Sequence, residues 1–178
     1  KKWKNYYNEI LKKEFKLKKL KKKRSLKKLG KLKFKIYNNK DEKIAVLKEL
    51  FQQKNIRLSS QGIKDILDPK DFKFYKRLEE GSFLNIKTQL SSLTLNGELI
   101  AIHWGVVYKK RFYYLLLSMK DGKLGRYSPG RLLISLLIRW SISKKLEIFD
   151  FTLGEENYKK SWSSNVSSLF NFVESRSL

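Results

Sequence analysis

The stretch GRYSPGRLLISLLIRW (125–140) places two glycines, a serine, a proline and two arginines directly ahead of a largely apolar run. Residues of these types in this order make a seat for an anion. Ser128 suits the cap of a helix, and Pro129 at the first helical position gives up only a donor that would lack a partner there. Gly130 offers an N–H with no Cβ beside it, so another group can approach closely. Donors at a helix start carry partial positive charge. Around Gly125 and Gly130, Lys123, Arg126 and Arg131 add full charges. Arg131, Ser135, Arg139 and Ser143 then recur as a narrow polar stripe along the apolar helix. The competing reading is an ordinary capped helix behind a flexible loop. The spacing is neither that of a Walker loop nor that of G-x-G-x-x-G.

A second constellation lies in FDFTLGEENYKKSW (149–162). Asp150 ends a short apolar strand, Gly154 permits a turn, Glu155 and Glu156 follow, and then come Tyr158, Lys159 and Trp162. Strand ends beside a crossover helix are where sites of α/β proteins collect, and an acid with a phenol there can accept and donate protons. Alternatively, Asp150 caps a loop while Tyr158 and Trp162 pack on the surface. The only histidine, His103, falls in the strand ELIAIHWGVVY, where alternation sets it with Ala101 and Gly105, opposite Ile102, Trp104 and Val106. It reads either as a neutral side chain held within a sheet or as a base.

Composition narrows the chemistry. The chain has 178 residues and no cysteine, which removes disulfides, thiolate metal sites and a cysteine nucleophile, and one histidine cannot build a multi-histidine metal centre. No apolar run reaches the roughly 18 residues of a membrane span, and the basic start lacks the apolar core of a secretory signal. These features predict a cytoplasmic protein with no metal. The chain does not begin with methionine, so we expect a fragment of a longer protein. Its net charge is +24, and residues 1–40 hold 18 of the 41 Lys+Arg against two of the 17 acids. That concentration fits a contact with tRNA or an anionic membrane surface. A lysine-, asparagine- and isoleucine-rich composition also arises from an AT-rich genome.

The elements that must hold these residues are readable from periodicity. A basic amphipathic helix over 5–29 carries Tyr6, Tyr7, Ile10, Leu11, Phe15 and Leu20 and stops at Gly30. The segment 1–30 is expected to pack on a domain spanning 31–178. KLKFKIYNN (31–39) alternates as a half-exposed strand, and 41–55 and 69–81 read as helices. A short helix is expected within 59–69. Runs at 87–95, 98–108 and 111–118, separated by Asn96-Gly97 and Lys109-Lys110, form an antiparallel meander. A helix at 129–144, a strand at 146–151 and a last strand at 167–174 follow. The class is α+β (α/β in three layers), with a mixed, mostly antiparallel sheet flanked by helices.

In order and separation, NGELIAIHWGVVYKKRFYYLLLS, YSPGRLLISLLIRW and FDFTLGEENYKKSW resemble the GNAT superfamily of N-acyltransferases. They are most similar to its cellulose-biosynthesis-associated (CelD/BcsL-like) branch, itself related to FemAB-like aminoacyl transferases. FYKRL (74–78) and KKKRSLKKLGKLKFKIY (21–37) resemble the segments that precede these motifs. The resemblance implies that the strand at 112–118, including Leu116 and Ser118, lines an acyl-CoA such as acetyl-CoA. It implies that Gly125, Arg126, Ser128, Gly130 and Arg131 hold the pyrophosphate. The loop KLGRYSPG departs from the better-known Q/R-x-x-G-x-G/A pattern. For such a reaction Asp150, Glu155 and Tyr158 are the candidates to handle protons, with Tyr158 serving the leaving thiolate. Lys159 would pair with a carboxylate or a phosphate, and His103, Lys159 and Trp162 would contact the acceptor. The implied activity is acyl transfer to an amine, such as an amino sugar or a polysaccharide precursor. The alternatives are aminoacyl transfer from charged tRNA and a non-catalytic basic module on this scaffold.

Overall fold

The computed structural model describes residues 3–11, 13–63, 67–81, 85–120 and 122–172. Five strands lie side by side in the order of the sequence: β1 (Leu32–Tyr37), β2 (Lys87–Leu95), β3 (Glu98–Tyr108), β4 (Arg111–Met119) and β5 (Ile148–Asp150). β1 to β4 are antiparallel neighbours, and β5 pairs parallel to β4. The connection between these last two runs through a helix, α5 (Pro129–Ser143), because a parallel neighbour needs a long crossover.

The turns of the meander form where the sequence supplies left-handed residues. Asn96 and Gly97 have φ of 52° and 89°, and Lys109 and Lys110 have 44° and 60°. Asn96 also locks the first strand in place: its Oδ1 accepts from the Lys31 N–H at 2.7 Å and its Nδ2 donates to the Leu29 carbonyl at 3.2 Å. A Cβ on Gly30 would stand 2.1 Å from that same Oδ1. Glycine there is therefore a requirement of packing as well as of the helix end.

Helices cover both faces of the sheet. On one face lie α3 (Lys40–Ser60) and α4 (Pro69–Glu80). Asn39 caps the first, and Asp68 with Asp71 forms a reciprocal capping box on the second. Their apolar sides, with Leu47, Leu50 and Phe51, close on Leu90, Ile102 and Trp104. On the other face α5 places Leu132, Leu133, Leu137 and Ile138 against Leu93, Ala101, Phe112 and Tyr114. Alternation along β3 thus sorts Ile102 and Trp104 from Ala101, as the strand period requires.

Two expectations need correction. The single helix over 5–29 is two, α1 (Trp3–Glu9) and α2 (Lys13–Lys28), with Leu11 buried at the break. The strand at 167–174 is absent over the described residues up to 172, where Leu169, Phe170 and Phe172 are exposed. The short helix expected within 59–69 coincides with the end of α3 at Ser60, and positions 64–66 lie outside the described residues. The N-terminal helices pack against α5 through Leu11 and Leu26, and the Tyr6 hydroxyl donates to the Trp162 carbonyl at 2.6 Å.

Candidate active site

The pairing of β4 with β5 covers only Arg111–Tyr113 and Ile148–Asp150. Beyond Tyr113 the two strands part, and a cleft of about 480 Å³ opens between them. Tyr114, Leu115, Leu117, Ser118 and Met119 of β4 form one wall. Phe151, Thr152, Leu153, Glu156, Tyr158 and Lys159 form the other, on the segment leading into the short helix α6 (Asn157–Lys160). Lys54, Arg57 and Leu58 from the end of α3 and Arg131 and Ile134 from α5 complete the lining. The Thr152 hydroxyl, bonded to the Tyr114 carbonyl at 3.3 Å, spans the point where the strands separate.

The β3–β4 register slips on this wall. Gly105 faces Tyr114 and Trp104 faces Leu116, so Leu115 is an extra residue with no opposite number on β3. Such a bulge takes a backbone unit out of the ladder, and here it does so on the lining of the cleft.

The sequence candidates divide. Tyr158 lines the cleft half-buried, its hydroxyl pushed above the ordinary phenol range by burial and then by the charge of Glu156. Lys159 is buried beside it and pairs with Glu156 at 2.8 Å while donating to the Leu153 carbonyl. The hydrogen bond from Lys159 holds the Glu156 carboxyl below the usual range. Ser118 lines the cleft and donates to Gln53 Oε1 at 3.2 Å, whereas Leu116, on the same face of β4, packs into the α3–α4 core and does not line the cleft.

Asp150 and Glu155 are not brought to Tyr158. The Asp150 carboxylate receives Arg111 Nη1 at 2.7 Å and the Thr152 N–H at 2.7 Å, which ties it to the paired end of β4. Glu155 is exposed and does not line the cleft, because the turn aims its neighbour Glu156 inward instead. His103 is fully buried behind Tyr114, with ring centroids 4.3 Å apart and planes 18° apart, and does not reach the cleft. Burial drives its pKa down to about 3, so the ring is neutral. Trp162 is 2% exposed and belongs to the core beneath α1.

The anion seat is built differently from expectation. Ser128 stands at the N-cap in a left-handed conformation (φ 53°, ψ 57°) and makes no side-chain capping bond. Its Oγ instead accepts from Lys22 Nζ of α2 at 2.6 Å. The Gly130 N–H donates to Met119 Sδ at 3.2 Å, and a Cβ at Gly130 would stand 2.4 Å from that sulfur. Gly130 therefore serves close packing of α5 on β4. Gly125 and Arg126 lie in the exposed turn Gly125–Tyr127, where the Arg126 guanidinium sits 4.9 Å from the Tyr127 ring. A second hollow of about 70 Å³ lies between α2 and the start of α5, lined by Lys18, Lys19, Lys22, Lys23, Tyr127, Ser128, Arg131 and Leu132.

The cleft combines a parted pair of strands, a bulge on the lining and cations at the next helix, and comparison with known proteins decides the family. The model of the acetyltransferase (GNAT) domain matches residues 15–160. The chain belongs to that family. Two solved structures of an aminoglycoside acetyltransferase, meta-AAC0020 from an uncultured soil metagenomic sample, share the fold. One is in complex with sisomicin and the other with trehalose; each has a TM-score of 0.55 and 13% identity and covers 82% of this chain and 97% of its own. No curated protein sequence matches significantly.

As an acetyltransferase, the protein presents a cleft whose charges are Lys54, Arg57, Arg131 and the Glu156–Lys159 pair. Burial, and then the nearby Arg57, lowers the Lys54 pKa. Sequence reading missed Lys54, Arg57 and Leu58, which carry no motif and reach the cleft only through the docking of α3. It also missed Glu156, for which the spacing of three residues to Lys159 was an available signal. Among the described residues no cluster of His, Asp or Glu could hold a metal, and no helix is long and apolar enough to cross a membrane.

Proposed function

We propose that this acetyltransferase moves an acyl group from acyl-CoA, acetyl-CoA being the simplest donor, to the amine of an amino sugar or polysaccharide precursor. The observation that carries this reading is the parting of β4 from β5 with Tyr158 facing the opening. The unpaired edge of β4 beyond Tyr113 offers backbone groups to an extended, amide-bearing arm, and the cations at Arg57 and Arg131 suit an anionic end. Bound there, the donor supplies a thioester carbonyl already disposed to attack.

The residues of the chain then have distinct tasks. The Leu115 backbone, released from the ladder by the bulge, is placed to polarise the carbonyl oxygen. Tyr158, protonated at neutral pH, gives its proton to the sulfur as the C–S bond breaks and the N–C bond forms. The amine loses one proton in the exchange. Glu156, kept ionised by Lys159, draws the incoming ammonium, which first gives a proton to water because the lowered pKa makes Glu156 a weak base; the proton the amine then loses as the N–C bond forms returns through water to the Tyr158 phenolate. Asp150 stabilises the paired end of the strands through Arg111 and takes no part in this step.

The paired motifs YSPGRLL and DFTLGEENYKKSW favour the cellulose-biosynthesis-associated branch and hence a saccharide acceptor. A fold relative is an aminoglycoside acetyltransferase, so aminoglycosides belong in the first panel beside glucosamine and its oligomers. Amine-dependent release of free thiol from acetyl-CoA, with an acetylated product seen by mass spectrometry, is the expected result. A folded protein that releases no thiol with any amine of the panel would overturn the acceptor class.

A further inference from the structure

The acyl-CoA reading leaves the basic helix α2 without a task, and its lysines are not spread evenly over solvent. Lys18, Lys19, Lys22 and Lys23 converge on a hollow whose other wall is Tyr127, Ser128 and Arg131. No carboxylate lines it, and among the described residues none of these five cations forms an ion pair, although seven pairs occur elsewhere. Lys22 and Lys19 cross to α5 to bond Ser128 Oγ at 2.6 Å and Ser135 Oγ at 3.1 Å, so the cations are held rather than free to splay. Lys19 is further fixed over the rings of Tyr7, at 4.5 Å, and Trp162, at 5.2 Å. Its pKa falls to about 8 through burial and the repulsion of Lys23 and Lys16, a sign of positive charge packed without compensation. Arg131 is shared: it borders this hollow and the main cleft. A ligand lying in the cleft with a polyanionic tail can therefore run past Arg131 into the hollow.

We propose that Lys18, Lys22 and Lys23 of α2, with Arg131, grip the phosphates at the nucleotide end of the thioester donor. On this view the helix upstream of the sheet supplies charge beside a helix start whose Gly130 N–H is already turned to Met119 Sδ. The inference rests on the acyl-CoA reading for the identity of the ligand. Its geometry, a cation-lined hollow joined to the cleft, is independent of that reading.

The test compares donors with and without phosphates. Lys18→Gln/Lys23→Gln removes two charges and leaves both inter-helix bonds of Lys19 and Lys22 in place; Lys22→Gln is the second variant, and a thermal melt checks the fold of each. Calorimetric binding of CoA and of pantetheine, and KM for acetyl-CoA and acetyl-pantetheine, are measured at two salt concentrations. We expect CoA to bind the double variant about tenfold or more weakly than wild type, as for loss of charge-assisted contacts. The preference for the phosphorylated donor and its salt sensitivity should shrink together. A preference for CoA over pantetheine that is the same in variants and wild type would overturn the proposal. Lysine-dependent CoA binding without any acyl transfer would keep the phosphate grip and sink the transfer reading. Transfer from acetyl-pantetheine with no gain from the phosphorylated donor would do the reverse.

Discussion

Beneath α3 and α4 the buried carboxylate of Glu79 is met by Lys43 Nζ at 2.8 Å, the Thr88 hydroxyl at 2.7 Å and Trp104 Nε1 at 2.6 Å. On the reverse of the same strands, beneath α5, Gln89, Ser91, His103 and Tyr114 keep buried side-chain polar atoms with no hydrogen-bond partner among the described residues. The first face buries a charge and satisfies it from three sides. The second leaves these four neutral groups unmatched among the described residues. A charge out of water must be fully compensated or it is not tolerated, whereas a neutral orphan costs roughly 1–3 kcal/mol. One orphan borders the cleft: Tyr114 stacks on His103 and at the same time lines it. One face is closed and structural, and the other keeps polarity where the sheet opens.

Breaking the closed face should give the largest effect. Glu79→Ala strands Lys43 and the Trp104 indole N–H, and we expect a loss of about 3–5 kcal/mol, read from the urea midpoint. The molecules that remain folded should keep wild-type kcat, since no group of this network lines the cleft. On the open face the expectation is inverted. Tyr158→Phe should lower kcat for acyl transfer by about 100-fold or more while moving the urea midpoint little, because only the hydroxyl is lost from a half-buried ring.

Smaller effects test how the open face is packed. A Cβ at Gly105 would stand 2.5 Å from the Tyr113 carbonyl and 2.7 Å from His103 Cε1. Backbone cannot yield there as a side-chain tip can, so Gly105→Ala should cost about 1–3 kcal/mol and disturb the His103–Tyr114 stack, visible in the near-ultraviolet circular dichroism. The smallest effect at neutral pH is expected for His103→Leu, which removes two unpartnered polar atoms and should be within about 1 kcal/mol of wild type. Its consequence appears in acid. The folded pKa of about 3 lies below the ordinary 6.5, so the unfolded chain takes up the proton first. Stability is whole above about 6.5 and drains as the pH falls toward about 3. The leucine variant should lose less stability than wild type between pH 7 and pH 4, as measured by urea midpoints. An equal loss in both proteins would refute the burial of a neutral ring.

Local pattern carried most of the fold into view. The meander β2–β4 ends within a residue of its expected bounds, because period-two alternation and the Asn-Gly and Lys-Lys turns are short-range signals. Pro69 and Gly81 likewise bracket α4. The break between α1 and α2 was invisible, since helical spacing continues through it and burial of Leu11 against the α5 core decides it. The exposed apolar tail at 167–172 shows the converse: hydrophobicity alone did not create a strand.

The candidate site was legible by type more than by identity. Tyr158, Lys159, Ser118 and Arg131 reach the cleft, while Asp150, Glu155, His103 and Trp162 have the right chemistry and the wrong address. The sequence by itself determined the antiparallel meander β2–β4, the loop before α5 and the crowd of lysines in α2, since these follow from neighbours along the chain. Only the tertiary structure decided that β4 and β5 part after Tyr113, that Glu156 rather than Glu155 turns inward, and that α2 lies across the start of α5. Those outcomes depend on packing between residues far apart in sequence, where a side chain's chemistry gives no hint of what will face it.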